Sequence, residues 1–153
     1  MTTTVSAADM VHELAARYQE INGMGSVEVA FGDDRIILRA GAVAGIRILR
    51  PLADLVREEL RRRDLRTPTI EHVRTGSLMF ITNAAPPKTP WDNALFKHFA
   101  ARTVIGSLIA LPGPGDELRN WLDASDGTLR VDFDDLARIT IEATATGRQH
   151  GGR

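Results

Sequence analysis

The sequence predicts an α+β fold, with an antiparallel or mixed sheet built from hairpins and covered by three to four helices. Three observations carry that expectation. Two stretches of alternating apolar and polar residues, 27–39 and 69–82, are each broken by a turn and read as hairpins. Stretches with apolar residues every three or four positions lie before, between and after them. The strict strand–helix alternation of a doubly wound parallel sheet is missing.

The first element is a helix over 6–21. Ser6 and Asp9 stand three apart, as in a capping box, and Met10, Val11, Leu14, Tyr18 and Ile21 share one face before Asn22 and Gly23 stop it. In the first hairpin, Val27, Val29 and Phe31 alternate with polar or small residues, Gly32, Asp33 and Asp34 turn, and 35–39 returns. Residues 41–45 read as a loop and 46–49 as a short third strand. Pro51 opens a second helix with the stripe Leu52, Leu55, Val56 and Leu60.

The second hairpin pairs 69–73 with 78–82. The linker 84–90 holds three prolines, too many for a helix or a central strand. Thr89, Pro90 and Asp92 look like the cap and first turn of a third helix. Leu95, Phe96, Phe99, Val104, Leu108 and Leu111 keep near-helical spacing, which favours one long helix ending before Pro112. A short helix followed by a strand in 104–111 stays open. After the turn 112–115, Leu118, Trp121 and Leu122 suggest a fourth, short helix, and 128–133 and 139–143 suggest two last strands. Residues 1–146 are expected to form a single domain with Leu14, Leu55, Phe80, Phe99 and Trp121 in its core. The tail 147–153 has no apolar residue to bury and is expected to be disordered.

Composition narrows the function classes. A chain of 153 residues, 43% hydrophobic and 25% charged, can bury a core without staples. The absence of cysteine excludes disulfides and thiolate chemistry. The start of the chain has neither a positive nor an apolar secretory region, and the longest apolar stretch, 104–111, is far short of the ~20 residues that span a bilayer. A cytoplasmic protein with no membrane partner is the expectation. Seventeen of the nineteen basic residues are arginine, which reads as a GC-rich, bacterial coding background.

Catalytic patterns are weak. His12 lacks the second histidine of a metalloprotease helix, and Asp132, Asp134 and Asp135 lack the glycine and glutamate of a calcium loop. Ser77 and Ser107 lack the nucleophile elbow, and neither glycine-rich stretch ends as a phosphate loop. No cofactor and no metal are expected. A dispersed site from His72, Arg74, Asp92 and His98 is the third-ranked reading.

Two surfaces stand out instead. Arg57, Arg61, Arg62, Arg63 and Arg66 crowd the end of the second helix, where Asp54, Glu58 and Glu59 can pair with them at helical spacing. Trp91 and Phe96, beside the proline-rich linker, could form a groove. Between 47 and 74 there are eight arginines against five acids, and from 116 to 135 seven acids against two arginines. With a net charge of −1, the leading expectation is a non-enzymatic accessory or adaptor protein acting by protein–protein contact, in a homo-oligomer or larger assembly. A nucleic-acid-associated factor using the arginine-rich helix is the second reading. By order of elements alone, residues 6–100 resemble small dimeric secretion-type chaperones (helix, three strands, helix, two strands, helix); no motif accompanies the likeness.

Overall fold

A computed structural model describes residues 6–30, 35–124 and 126–151, with side chains as far as 146. Two antiparallel sheets and four helices make up the described residues, an α+β arrangement as the sequence predicts. The larger sheet has the order β6-β3-β5-β4-β8: β6 (Ala101–Arg102), β3 (Val43–Ile48), β5 (Leu78–Asn83), β4 (Thr69–His72) and β8 (Arg119–Asp123). The smaller has the order β1-β2-β7: β1 (Ser26–Ala30), β2 (Arg35–Arg39) and β7 (Leu108–Leu111).

The pleat of the central strands divides the interior into two cores. Ala44, Ile46, Ile48, Leu78 and Phe80 face helices α2 (Leu52–Arg62), α3 (Asp92–Lys97) and α4 (Phe133–Gly151). Alternate residues Val43 and Ile81 face the other way. They meet Ile36 and Leu38 of β2, Ile109 and Leu111 of β7, and Val11, Ala15 and Tyr18 of α1 (Ala7–Glu20). Tyr18 ties this second core together: its hydroxyl donates to Pro112 O at 2.8 Å and accepts from Trp121 Nε1 at 3.0 Å.

Several elements up to residue 83 follow the sequence reading. Ser6 caps α1 by accepting from Asp9 N–H at 3.1 Å. Both hairpins form, although Phe31 and the turn at 32–34 lie outside the described residues. The third strand is longer than expected. It begins at Val43, so residues 43–45 are central strand and not loop, because Gly45 lets the second sheet approach.

The last third departs more. The long helix expected up to Pro112 is instead α3, β6 and β7. Gly106 (φ 91°) turns the chain, and Ser107 Oγ accepts Val104 N–H at 2.9 Å. The helix expected around Leu118 and Trp121 is strand β8. Asp116 Oδ1 takes the N–H groups of Leu118 and Arg119 at 2.8 and 3.1 Å, a side-chain turn that competes with helix. The two final strands are replaced by α4, preceded only by a bridge of Val131 to Thr82. Phe133, Leu136, Ala137, Thr140 and Ala143 are buried at spacings of three and four. That periodic burial overrides the strand preference of Ile139, Thr140 and Ile141. The tail expected from residue 147 is, as far as Gly151, backbone of α4.

Candidate functional site

The arginine-rich end of α2 is the first surface the sequence nominates. Ala53, Val56 and Leu60 bury one face of α2 in the first core, which leaves the charged side chains outside. Every arginine of the cluster faces a carboxylate. Arg61 pairs with Glu58, and Arg62 with Glu59 at 3.0 Å. Arg63 reaches Glu59 at 2.9 Å and Glu142 of α4 at 2.6 Å. Arg57 lies 4.0 Å from Asp123, and Arg66 3.9 Å from Asp126. The hydrogen bond from Arg63 holds the Glu59 carboxyl below its ordinary value.

The cavity beside this helix end, of about 500 Å³, is accordingly lined by both signs of charge, with Arg57, Arg61 and Arg66 against Asp54, Asp64 and Asp123. Such exposed pairs contribute only about 0–1 kcal/mol each. Their consequence is electrostatic: little positive field is left over. The acidic stretch 116–135 and the arginines of α2 are not wholly on separate faces, because β8 carries Asp123 to Arg57.

The second surface is built on the proline-rich linker. Thr89 Oγ1 donates to Asp92 Oδ1 at 2.6 Å, and Thr89 N–H donates to Asp92 Oδ2 at 3.1 Å. Burial disfavours the charged Asp92, but these bonds and Arg102 outweigh it and hold its carboxyl below the ordinary value. Arg102 is the fastener. Its guanidinium meets Asp92 at 3.2 Å and Pro86 O at 2.8 Å, and it stacks 4.6 Å above the Phe133 ring. Linker, α3 and β6 are thereby locked to α4.

On this platform Leu95 is buried, and Trp91 packs against the first core. Phe96 and Phe99 do neither: they are 83% and 77% exposed. The sequence expectation of Phe99 in the core is therefore overturned, since one short turn of helix has a single inward position and Leu95 takes it. Trp91 and Phe96, five residues apart, diverge around α3.

Phe99 is also strained. It sits just past α3 with φ 59°, where Ala100 N–H donates to Leu95 O at 2.9 Å and Phe99 N–H to Phe96 O at 3.1 Å. This left-handed terminating position favours glycine. At the end of α2 the same place is filled by Asp64 (φ 56°), a small polar residue that tolerates it better. Val104, Ile105 and Leu108, just beyond β6, are more than half exposed as well. Within 84–115 the single acid is Asp92, already committed to Arg102, whereas Lys88 and Lys97 have no ion-pair partner among the described residues.

The remaining sequence candidates do not converge. His72 ends β4, two strands from the β3 edge that β6 and α3 border, so it lies apart from Asp92 and His98. Ser77 is buried and bonded to Thr75 Oγ1 at 2.8 Å, as expected of turn chemistry. Among the described residues no three His, Asp or Glu side chains are placed to hold a metal ion, and no helix is long and apolar enough to cross a membrane. Compared with protein-family models, curated proteins and solved structures, the chain matches none.

Proposed function

We propose that this is a non-enzymatic accessory protein that works by protein–protein contact, and that it self-associates through the apolar edge carrying Phe96 and Phe99. The observation behind this reading is Phe99 itself. A large aromatic held in a left-handed conformation and turned to solvent costs folding free energy and returns little packing. Burial against a partner is what such a residue can supply. Removing a Phe side chain from water is worth about 1.5–3 kcal/mol, and a two-fold interface uses each side chain twice. The net charge of −1 puts little repulsion between copies. Nucleic-acid binding through the arginine cluster at the end of α2 has weaker support, because all five of these arginines already face carboxylates.

The test is light scattering on wild type and on the double variant Phe96→Ser, Phe99→Gly, each at low and high salt. Wild type is expected to be oligomeric at both, and the variant to lose mass at both. Phe99→Gly alone is expected to raise folding stability by about 0.5–1 kcal/mol, because glycine relieves the left-handed strain. A monomeric wild type, or an oligomer indifferent to the double variant, overturns the proposal.

A further inference from the structure

The smaller sheet covers only part of the face of the larger one. β7 crosses over β3, where Ile109 packs near Gly45, and β7 pairs with β2 on one side only. Along its other side runs a cleft of about 210 Å³, whose floor is Ile70 and Met79 of the larger sheet. Leu108, Ile109 and Ala110, three consecutive residues, all line it. Successive side chains of a strand point to opposite faces, so a cavity touching all three lies along the strand's edge.

Hydrogen-bond register says what that edge offers. Just past the β2–β7 ladder, Ala40 N–H donates to Ser107 O at 2.8 Å while Ala40 O accepts from Gly106 N–H at 2.9 Å, so the Ser107 carbonyl faces β2. Pairs alternate in an antiparallel ladder, so Arg39–Leu108 and Ile37–Ala110 are the non-bonded ones. The N–H and C=O groups of Leu108 and Ala110 therefore point away from β2, into the cleft.

Its polar rim is made of donors. Arg47 has no ion-pair partner among the described residues. Arg119 is steadied by Asp116 at 3.1 Å. Thr75 N–H donates to His72 Nδ1 at 3.4 Å, and Thr75 Oγ1 lies 3.1 Å from the same atom. These contacts fix the His72 ring at the rim of the cleft.

The geometry points to this cleft as a strand-addition site for an extended segment of a partner polypeptide that carries a carboxylate. The segment pairs with Leu108 and Ala110, makes the smaller sheet four-stranded, and lays apolar side chains on Ile70 and Met79. Its carboxylate meets Arg47, with His72 and Arg119 alongside. Main-chain pairing supplies affinity, and the floor and the arginine supply selectivity. The inference does not rest on self-association through Phe96 and Phe99.

Selection of random peptides displayed on phage against the immobilised protein tests the idea. Enriched sequences are expected to alternate apolar residues with Asp or Glu. Made as free peptides, they are expected to bind about tenfold or more weakly to Arg47→Glu, which removes the charge match. Ala110→Pro is expected to weaken them as much, since it deletes an N–H that faces the open edge and leaves the β2 ladder intact. Absence of enrichment overturns the proposal, as do peptides indifferent to both variants. Displacement by acetate as readily as by peptide also overturns it, in favour of a small-anion site. If Ala110→Pro instead changes the oligomeric mass of the protein alone, the edge serves a second copy and the proposal fails.

Discussion

Phe80→Ala is expected to lower folding stability by about 3–5 kcal/mol, while Phe99→Ala changes it by less than about 0.5 kcal/mol. Phe80 is fully buried in the middle of β5, opposite Ile46 of β3 and Thr69 of β4, on the face covered by the helices. Truncating it removes the transfer free energy of the ring and leaves a cavity that strands paired on both sides close poorly. Such a loss is a large share of the ~5–15 kcal/mol that holds a domain of ordinary stability. Phe99 has almost no packing to lose, and alanine still bears a Cβ in the left-handed position, so strain relief is small as well. Urea melts of the two variants measure the difference directly. Equal losses would mean that Phe99 packs inward after all. A single transition is expected in every case, because both cores share the five-stranded sheet and neither can open alone.

Local punctuation explains what the sequence made legible. Ser6 at the start of α1, the stripe of α2 and the alternation of 78–82 each announce an element without help from distant residues. The region after Asp92 lacks that property. Leu95, Phe96, Phe99, Val104, Leu108 and Leu111 mimic a helical stripe, yet four of the six are exposed. Their spacing records a surface, and period alone cannot tell a wet stripe from a dry one. The break was nonetheless written in Gly106 and Ser107, which make the turn. Ile139, Thr140 and Ile141 show the opposite failure, in which β-branched residues form helix because their neighbours at three and four positions are buried. The linker region near Trp91 and Phe96 was legible as a candidate surface; Phe99 was read inside out. The pairing of Arg57 with Asp123 needed β8 to be a strand beside α2's partners, and the β7 cleft needed five strands brought together. Neither could be seen one element at a time.

Gly45→Val is expected to cost about 3 kcal/mol, and to lower the melting temperature by roughly 6–12 °C for a chain of this size. A Cβ built at Gly45 stands 2.8 Å from Met79 Sδ, 3.0 Å from Phe80 O and 3.5 Å from Ile109 Cδ1. The methionine end can swing away. The Phe80 carbonyl cannot, because it belongs to the backbone of the adjoining strand β5. Gly45 is further fixed by Thr103, whose Oγ1 accepts Gly45 N–H at 2.9 Å while its own N–H donates to Gly45 O at 2.9 Å. A valine must therefore push outward on Ile109, and with it on β7, the strand whose open edge forms the proposed peptide site. Thermal melts should be run beside Gly41→Ala, where an added Cβ meets nothing within 4 Å. That control is expected to stay within about 0.5 kcal/mol of wild type. Should Gly45→Val melt like wild type, the two sheets are not held at the close approach on which both the second core and the β7 cleft depend.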